Sequence, residues 1–235
     1  NAAATAGLSF EPSKTTTVGI GYRGAVGVPY ELPIELNLVD LGNLDFVARG
    51  TTLWDPHIVD VGVSHHLSQY SLLLSAAVSY AMWSQAPAPN SIVEVVFEEY
   101  AQSTENGTEP LVSVKSEPVD LGAQDIFIPR LGVEWMPSAP WRLSAGYAFR
   151  PTPLPRATKA ASYLDASTHI FGLGSAYTVG SPDDPGTTPL TVDLALQWHH
   201  FVPRAANKED PNSATGSLYY TGNALALALE LHHAF

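Results

Sequence analysis

The chain has 235 residues, 45% hydrophobic and only 14% charged, with no cysteine and a formal net charge of -12. That length suits one domain, the charged share is about half the usual one for a globular protein, and the acidic balance with no basic patch argues against nucleic acid as a partner. No run approaches the ~18 consecutive apolar residues of a membrane-spanning helix, whereas a spanning β-strand needs only about 9 to 11 alternating residues and escapes a hydropathy scan.

Alternation begins near the start of the chain. Leu8 and Phe10 oppose Gly7, Ser9 and Glu11, and Val18, Ile20 and Tyr22 oppose Gly19, Gly21 and Arg23. Val59, Val61 and Val63 oppose Asp60, Gly62 and Ser64. Further on, Phe127, Leu131, Val133 and Trp135 oppose Ile128, Arg130, Gly132 and Glu134. Pro129 falls on the apolar row of that segment, and its missing donor predicts a bulge or local break. Trp141, Leu143, Ala145, Tyr147 and Phe149 oppose Arg142, Ser144, Gly146, Ala148 and Arg150. Phe171, Leu173, Ser175, Tyr177 and Val179 oppose Gly172, Gly174, Ala176 and Thr178, and Leu190 to Trp198 repeats the pattern against Thr191, Asp193, Ala195 and Gln197. The last segment sets Leu225, Leu227, Leu229 and Leu231 against Ala224, Ala226, Ala228 and Glu230. Alanine and leucine favour helix intrinsically, so a helix is the alternative there. The recurrence of period 2 argues for strand, with the two rows on opposite faces.

Strands are therefore predicted at about 3–12, 15–30, 43–65, 69–84, 91–104, 122–136, 140–150, 166–179, 188–201 and 220–235. The 91–104 segment, with 111–119, reads as a hairpin above the bilayer, which leaves nine spanning strands. Short connections (11–14, 67–69, 137–140, 180–189) alternate with long ones (24–45, 85–121, 151–165, 202–219). Such alternation suits short periplasmic turns and long extracellular loops. Aromatic residues near strand ends, among them Trp54, Trp83, Trp135, Trp141, Trp198, Phe201 and Phe235, suit headgroup girdles. The predicted class is all-β: a transmembrane antiparallel β-barrel wall over 1–235, in the outer membrane of a Gram-negative bacterium, against lipid.

The rows opposite the apolar ones carry Glu11, Arg23, Asp60, Arg130, Glu134, Arg142, Arg150, Asp193 and Glu230. Two readings stand. The charges pair across the wall and hold a plug, or Arg130, Arg142 or Arg150 meets a substrate carboxylate. The pairs His65/His66, His199/His200 and His232/His233 invite a metal reading. Alternation sends one member of each pair to each face, so no metal or other cofactor is expected. No nucleophile–base–carboxylate spacing and no phosphate-cradling loop occurs, so an enzyme is not expected.

Taken together, "AGLSFEPSKTTTVGIGYRG" at 6–24, "LSAAVSYAMWSQ" at 74–85, "PRLGVEWMPSAPWRLSAGYAFRPTPLP" at 129–155, "YLDASTHIFGLGSAYTV" at 163–179 and the strand ending in Phe235 resemble the long-chain fatty-acid and hydrocarbon transporters of the outer membrane, the FadL/TodX family. The resemblance implies a fourteen-stranded barrel with an amino-terminal hatch in its lumen, of which this chain supplies the last nine strands. It also implies passive transport of hydrophobic compounds such as long-chain fatty acids, and makes Phe235 a carboxy-terminal assembly signal. A chain opening on Asn1 reads as a mature form or a fragment, with Asn1 on the extracellular side and a second polypeptide supplying the earlier strands and the hatch. A structural or surface-interaction barrel and a polar-solute porin are the alternative functions.

Overall fold

The computed structural model describes residues 2–38, 42–97, 102–104, 107–109, 113–156, 164–180, 189–206 and 216–233. In chain order the strands are β1 (Thr5–Ser13), β2 (Thr16–Arg23), β3 (Val26–Leu38), β4 (Gly42–Asp55), β5 (Ile58–Leu67), β6 (Leu72–Ala81), β7 (Ile92–Phe97), β8 (Gln102–Thr104), β9 (Gly107–Glu109), β10 (Ser113–Lys115), β11 (Ile126–Ser138), β12 (Trp141–Arg150), β13 (Thr168–Val179), β14 (Leu190–Ala206) and β15 (Leu218–His233). There is no α-helix among the described residues, so the leucine–alanine segment is a strand despite its intrinsic preference. Its row of leucines finds continuous cross-strand partners in β14, and tertiary pairing overrides propensity.

Nine strands form one antiparallel sheet in the order β1-β2-β5-β6-β11-β12-β13-β14-β15. These are the nine predicted spanning strands. The sheet is a single open layer whose side strands are β1 and β15, so the described residues do not close a barrel. Its two faces differ as the alternation requires. Register aligns Leu8, Ile20, Val61, Val78 and Pro129 along one row. The same face continues through Leu131, Tyr147, Phe171, Trp198 and Leu225. Its side chains are open, with Leu131 60%, Leu173 61% and Leu227 70% exposed. A water-soluble sheet would cover such a face with a second layer. Apart from Ala176, which lies opposite Arg142, the most deeply buried residues, including Pro56, Ser79, Ala81, Ile126, Ala166, Thr168 and Ala206, gather instead where connecting segments fold against one rim.

That rim is the end of the long connections. At the other rim the links are short: residues 14–15, 68–71 and 139–140 join β1 to β2, β5 to β6 and β11 to β12. Ser71, at φ 51, closes the second of these turns. Most of the predicted 180–189 connection lies outside the described residues.

Two expectations need correction. The 24–45 connection is not a loop: β3 and β4 form a long hairpin that leaves the wall and joins β7 and β10 in a separate four-stranded sheet, ordered β10-β7-β4-β3. The predicted strands 15–30 and 43–65 each break where this happens, at 24–25 and 56–57. Pro56 cannot continue a ladder, and a bulge between Val26 and Val28, with Leu53 at φ 49, re-aims the hairpin. Pro129 also departs from expectation, since β11 keeps unbroken register with β6 through Pro129↔Val78. A proline does this where its nitrogen sits at a non-donating site of the ladder. The irregularity in β11 lies instead between Trp135 and Ser138.

The four-stranded sheet is amphipathic. Leu32, Ile34, Phe46, Ala48, Val93 and Val95 share one face, while Arg49 on the other face donates to Glu31 (3.1 Å) and Glu94 (3.3 Å). Pro29 and Pro33 keep register with β4, so their missing donors fall on the free edge of β3 and blunt it against pairing. The hydrogen bond from Arg49, and then its charge, hold the Glu31 carboxyl below the usual carboxylate range. Because the folded value is depressed, this contribution is complete above the unfolded carboxylate pKa of about 4.3 and is lost as pH falls through the folded value. The pair is at least half exposed, so its contribution is small: hydrogen exchange of β3 and β4, after correction for intrinsic rates, is expected to be constant from pH 7 to 5 and to accelerate only slightly below ~4. Glu31→Gln should remove that acceleration.

Candidate functional site: the inner face of the wall

The face opposite the apolar rows is lined by small and polar side chains. Gly7 pairs with Gly21, Gly19 with Gly62, and Gly132, Gly146 and Gly172 follow one another across three strands. These glycines are not all there for one reason. A Cβ on Gly132 would approach Ser75 Oγ at 2.6 Å, and one on Gly174 would meet Ser144 Oγ, whereas one on Gly172 would meet nothing within 4 Å. At Gly172 the absent side chain simply leaves space in front of the wall.

Most of the predicted inward charges sit on this face in ion pairs. Arg130 reaches Asp60 (2.8 Å), which also accepts from the Ser79 hydroxyl. Arg142 reaches over Ala176 to Asp193 at 3.1 Å, with Glu134 at 3.9 Å. Arg23 pairs with Asp55 (2.8 Å) and Arg150 with Asp165 (2.9 Å) at the long-connection rim. The arginines singled out in the sequence are thus matched by carboxylates of the same chain. The paired side chains are 22% to 50% exposed, so each pair is worth little stability singly. What the pairs do is make this face polar and occupy the guanidinium groups. Glu11 falls in the bulge between Phe10 and Ser13. Glu230 contacts His232 at 2.8 Å.

Aromatic residues on the outward face lie near both rims. Trp135 and Trp141 are at the short-turn rim, where Trp141 packs on Tyr177 at a ring separation of 4.7 Å. Trp198 stacks on Phe171 (5.4 Å) toward the other rim. Phe235 lies outside the described residues. Trp54 and Trp83 belong to neither girdle; they meet edge to face (5.5 Å) beside the base of the β3–β4 hairpin.

Sequence reasoning missed a set of polar groups beside those outward aromatics. The Tyr22 hydroxyl bonds His57 (2.7 Å), the Tyr147 hydroxyl bonds His169 (2.8 Å), and His200 bonds Asn223 (3.0 Å), all near the long-connection rim. Only the register, which brings residues far apart in sequence side by side, reveals them. The histidine doublets split between faces: His65 bonds Thr16 (2.8 Å) on the apolar side, whereas His66 bonds Ser68 (3.1 Å). No group of metal-ligating side chains forms among the described residues.

Also missed was Arg204. Its guanidinium donates to Thr152 Oγ1 (3.0 Å) and to the carbonyls of Asp165 (2.7 Å) and Leu154 (2.6 Å). Tyr220 adds a hydroxyl bond to the Asp165 carbonyl (2.9 Å). The segments 151–156 and 164–167 are thereby strapped to the rim, and Gln124 N–H donates to Pro153 O (2.8 Å) to tie in the preceding connection. In that preceding connection Asp125 accepts from the Tyr80 hydroxyl and from Ser84 N–H (2.9 Å), bonds that hold its carboxyl below the usual range.

No protein-family model and no curated protein sequence matches the chain. Solved structures do match. A FadL homologue of Pseudomonas aeruginosa superposes with a TM-score of 0.59 at 16% identity, over 97% of this chain and 50% of that one. The toluene transporter TodX of Pseudomonas putida gives 0.53 at 15% identity, over 97% and 47%. The monoaromatic hydrocarbon channel CymD gives 0.52 at 18% identity, over 84% and 46%. The chain therefore spans about half the length of the solved chains it resembles. It has the fold of part of a FadL/TodX-like barrel wall.

Proposed function

We propose that residues 1–235 form part of the wall of an outer-membrane transporter that passes hydrophobic compounds, with long-chain fatty acids as the substrate class. The observation that carries this is the contrast between the two faces over nine adjacent strands: a predominantly apolar face suited to lipid, and a small, polar face suited to a lumen. The likeness to a FadL homologue, a toluene transporter and a hydrocarbon channel favours greasy cargo over sugars or ions. In this reading Trp135, Trp141, Trp198 and Phe235 anchor the wall at the headgroups. Arg23, Arg130, Glu134, Arg142, Arg150, Asp193 and Glu230 face the lumen, where their charges contact a plug or cargo. Because the charges are matched within the wall, they guide polar groups without forming a one-sign constriction of the kind a polar-solute porin uses.

An open sheet edge is untenable in hydrocarbon, since each unpaired backbone group there costs several kcal/mol. Strands from outside residues 1–235 therefore complete the wall, and we assign them, with a hatch, to a second polypeptide. Denaturing mass spectrometry of the detergent-extracted assembly tests that source. A second chain at one copy per copy of this one is expected, and a single longer polypeptide would replace that assignment while leaving the wall reading intact.

Transport is tested with the whole assembly in liposomes. A fluorescent long-chain fatty acid should reach the lumen of the vesicles, or their inner leaflet, faster than in protein-free vesicles, while a disaccharide should not. Disaccharide flux without fatty-acid flux would establish the porin reading. Flux of neither would establish a structural barrel.

A further inference from the structure

The sides of the sheet say what must adjoin them, given that the nine strands are a wall in a bilayer. β15 is sixteen residues long, and β1 and β15 each have a strand partner on one side only among the described residues. From Leu218 to His233 there is no proline, lysine or arginine, the residues that usually blunt an edge meant to stay free. Both side strands run from the long-connection rim to the short-connection rim, because eight antiparallel steps separate them in the sheet. They are therefore parallel to one another. Antiparallel closure needs an odd number of added strands, and a second copy of the same nine-stranded wall would only set two parallel edges side by side.

Charge adds a side-chain requirement. Register places Glu230 directly opposite Asp193. Like charges in that position are destabilising. Asp193 is already served by Arg142 at 3.1 Å, whereas the base at Glu230 is His232, one pleat further along the same strand, with both side chains 67% exposed. In the middle of this face Asp60, Glu134 and Asp193 are each met by an arginine from another strand. Given that odd complement, we propose that the strand pairing with β15 carries an arginine or lysine on its inward row beside Glu230.

The test is site-directed photo-crosslinking in the native assembly. A benzophenone amino acid replaces Ala228, which lies one inward position from Glu230, and the adduct is sequenced by mass spectrometry. The expected adduct is an alternating segment from outside residues 1–235, with a basic residue on its inward row within one pleat of Glu230. Glu230→Lys should lower the adduct yield several-fold, and exchanging the partner base for glutamate in the same background should restore it. A strand-like adduct whose inward row is neutral or acidic overturns this inference and leaves the wall reading standing. An adduct with β1 or β15 of another copy overturns the odd-strand requirement. No protein adduct at all, from protein that still fractionates with membranes, overturns both this inference and the wall reading.

Discussion

Leu173→Arg is expected to destabilise the assembled protein by about 2–4 kcal/mol, the cost of a cationic side chain near the middle of a lipid-facing β-surface. Leu173 sits in the centre of β13, on the apolar face between Ala145 and Leu196, and is 61% exposed. That exposure makes the experiment decisive. In a water-soluble protein, replacing a side chain so open to solvent shifts stability by no more than about 0.5 kcal/mol. Lipid and water therefore predict different results for one substitution. Ala195→Arg is the internal control, because register puts Ala195 on the inner face, beside Gly174 and Ala228. It should cost well under 1 kcal/mol if that face lines an aqueous lumen. Denaturant unfolding of the assembly in bilayers reads both variants. Equal, small effects would remove the membrane from the account.

Arg204→Leu is expected to release the straps at the long-connection rim. The substitution leaves the carbonyls of Asp165 and Leu154 and the hydroxyl of Thr152 without their charged donor. Bonds to charged donors contribute about 1.5–3 kcal/mol each and do not add in full, so local stability should fall by on the order of 3 kcal/mol. Amide exchange in 151–156 and 164–167 should then accelerate about a hundredfold, while the centres of β12 to β14 stay protected. Tyr220→Phe, which removes one bond to the Asp165 carbonyl, should give a smaller change of about 1 kcal/mol. Unchanged exchange in Arg204→Leu would show that the Arg150–Asp165 pair and backbone packing hold these segments without it.

Most of the wall was legible before any coordinates. The alternating rows from Leu8 to Leu231 fall on the faces assigned to them, because side-chain direction in a strand is a local property of the pleat. The placement of Arg130, Glu134, Arg142 and Asp193 on the face opposite the apolar rows was legible for the same reason. What could not be read was which of them bond. Arg142 reaches past β13 to Asp193 on β14, a choice made by side-chain length and sheet twist rather than by spacing along the chain. Arg204 gave no signal at all, since its acceptors are backbone carbonyls that every residue possesses. The β3–β4 hairpin was half visible: its residues alternate, yet alternation does not say which sheet a strand will join.

The sequence by itself determined that this chain builds β-strands with one greasy and one small, polar face. A period of 2 can be satisfied by no other regular structure over nine segments, and the outward rows are too apolar for water. Only the tertiary structure decided that β3 and β4 leave the wall at Gly24 and Pro56, that Arg204 straps the rim, and that Glu230 comes to face Asp193 across a strand pair. Those outcomes depend on contacts between residues distant in sequence, whose free energy is set by where the chain has already placed their partners.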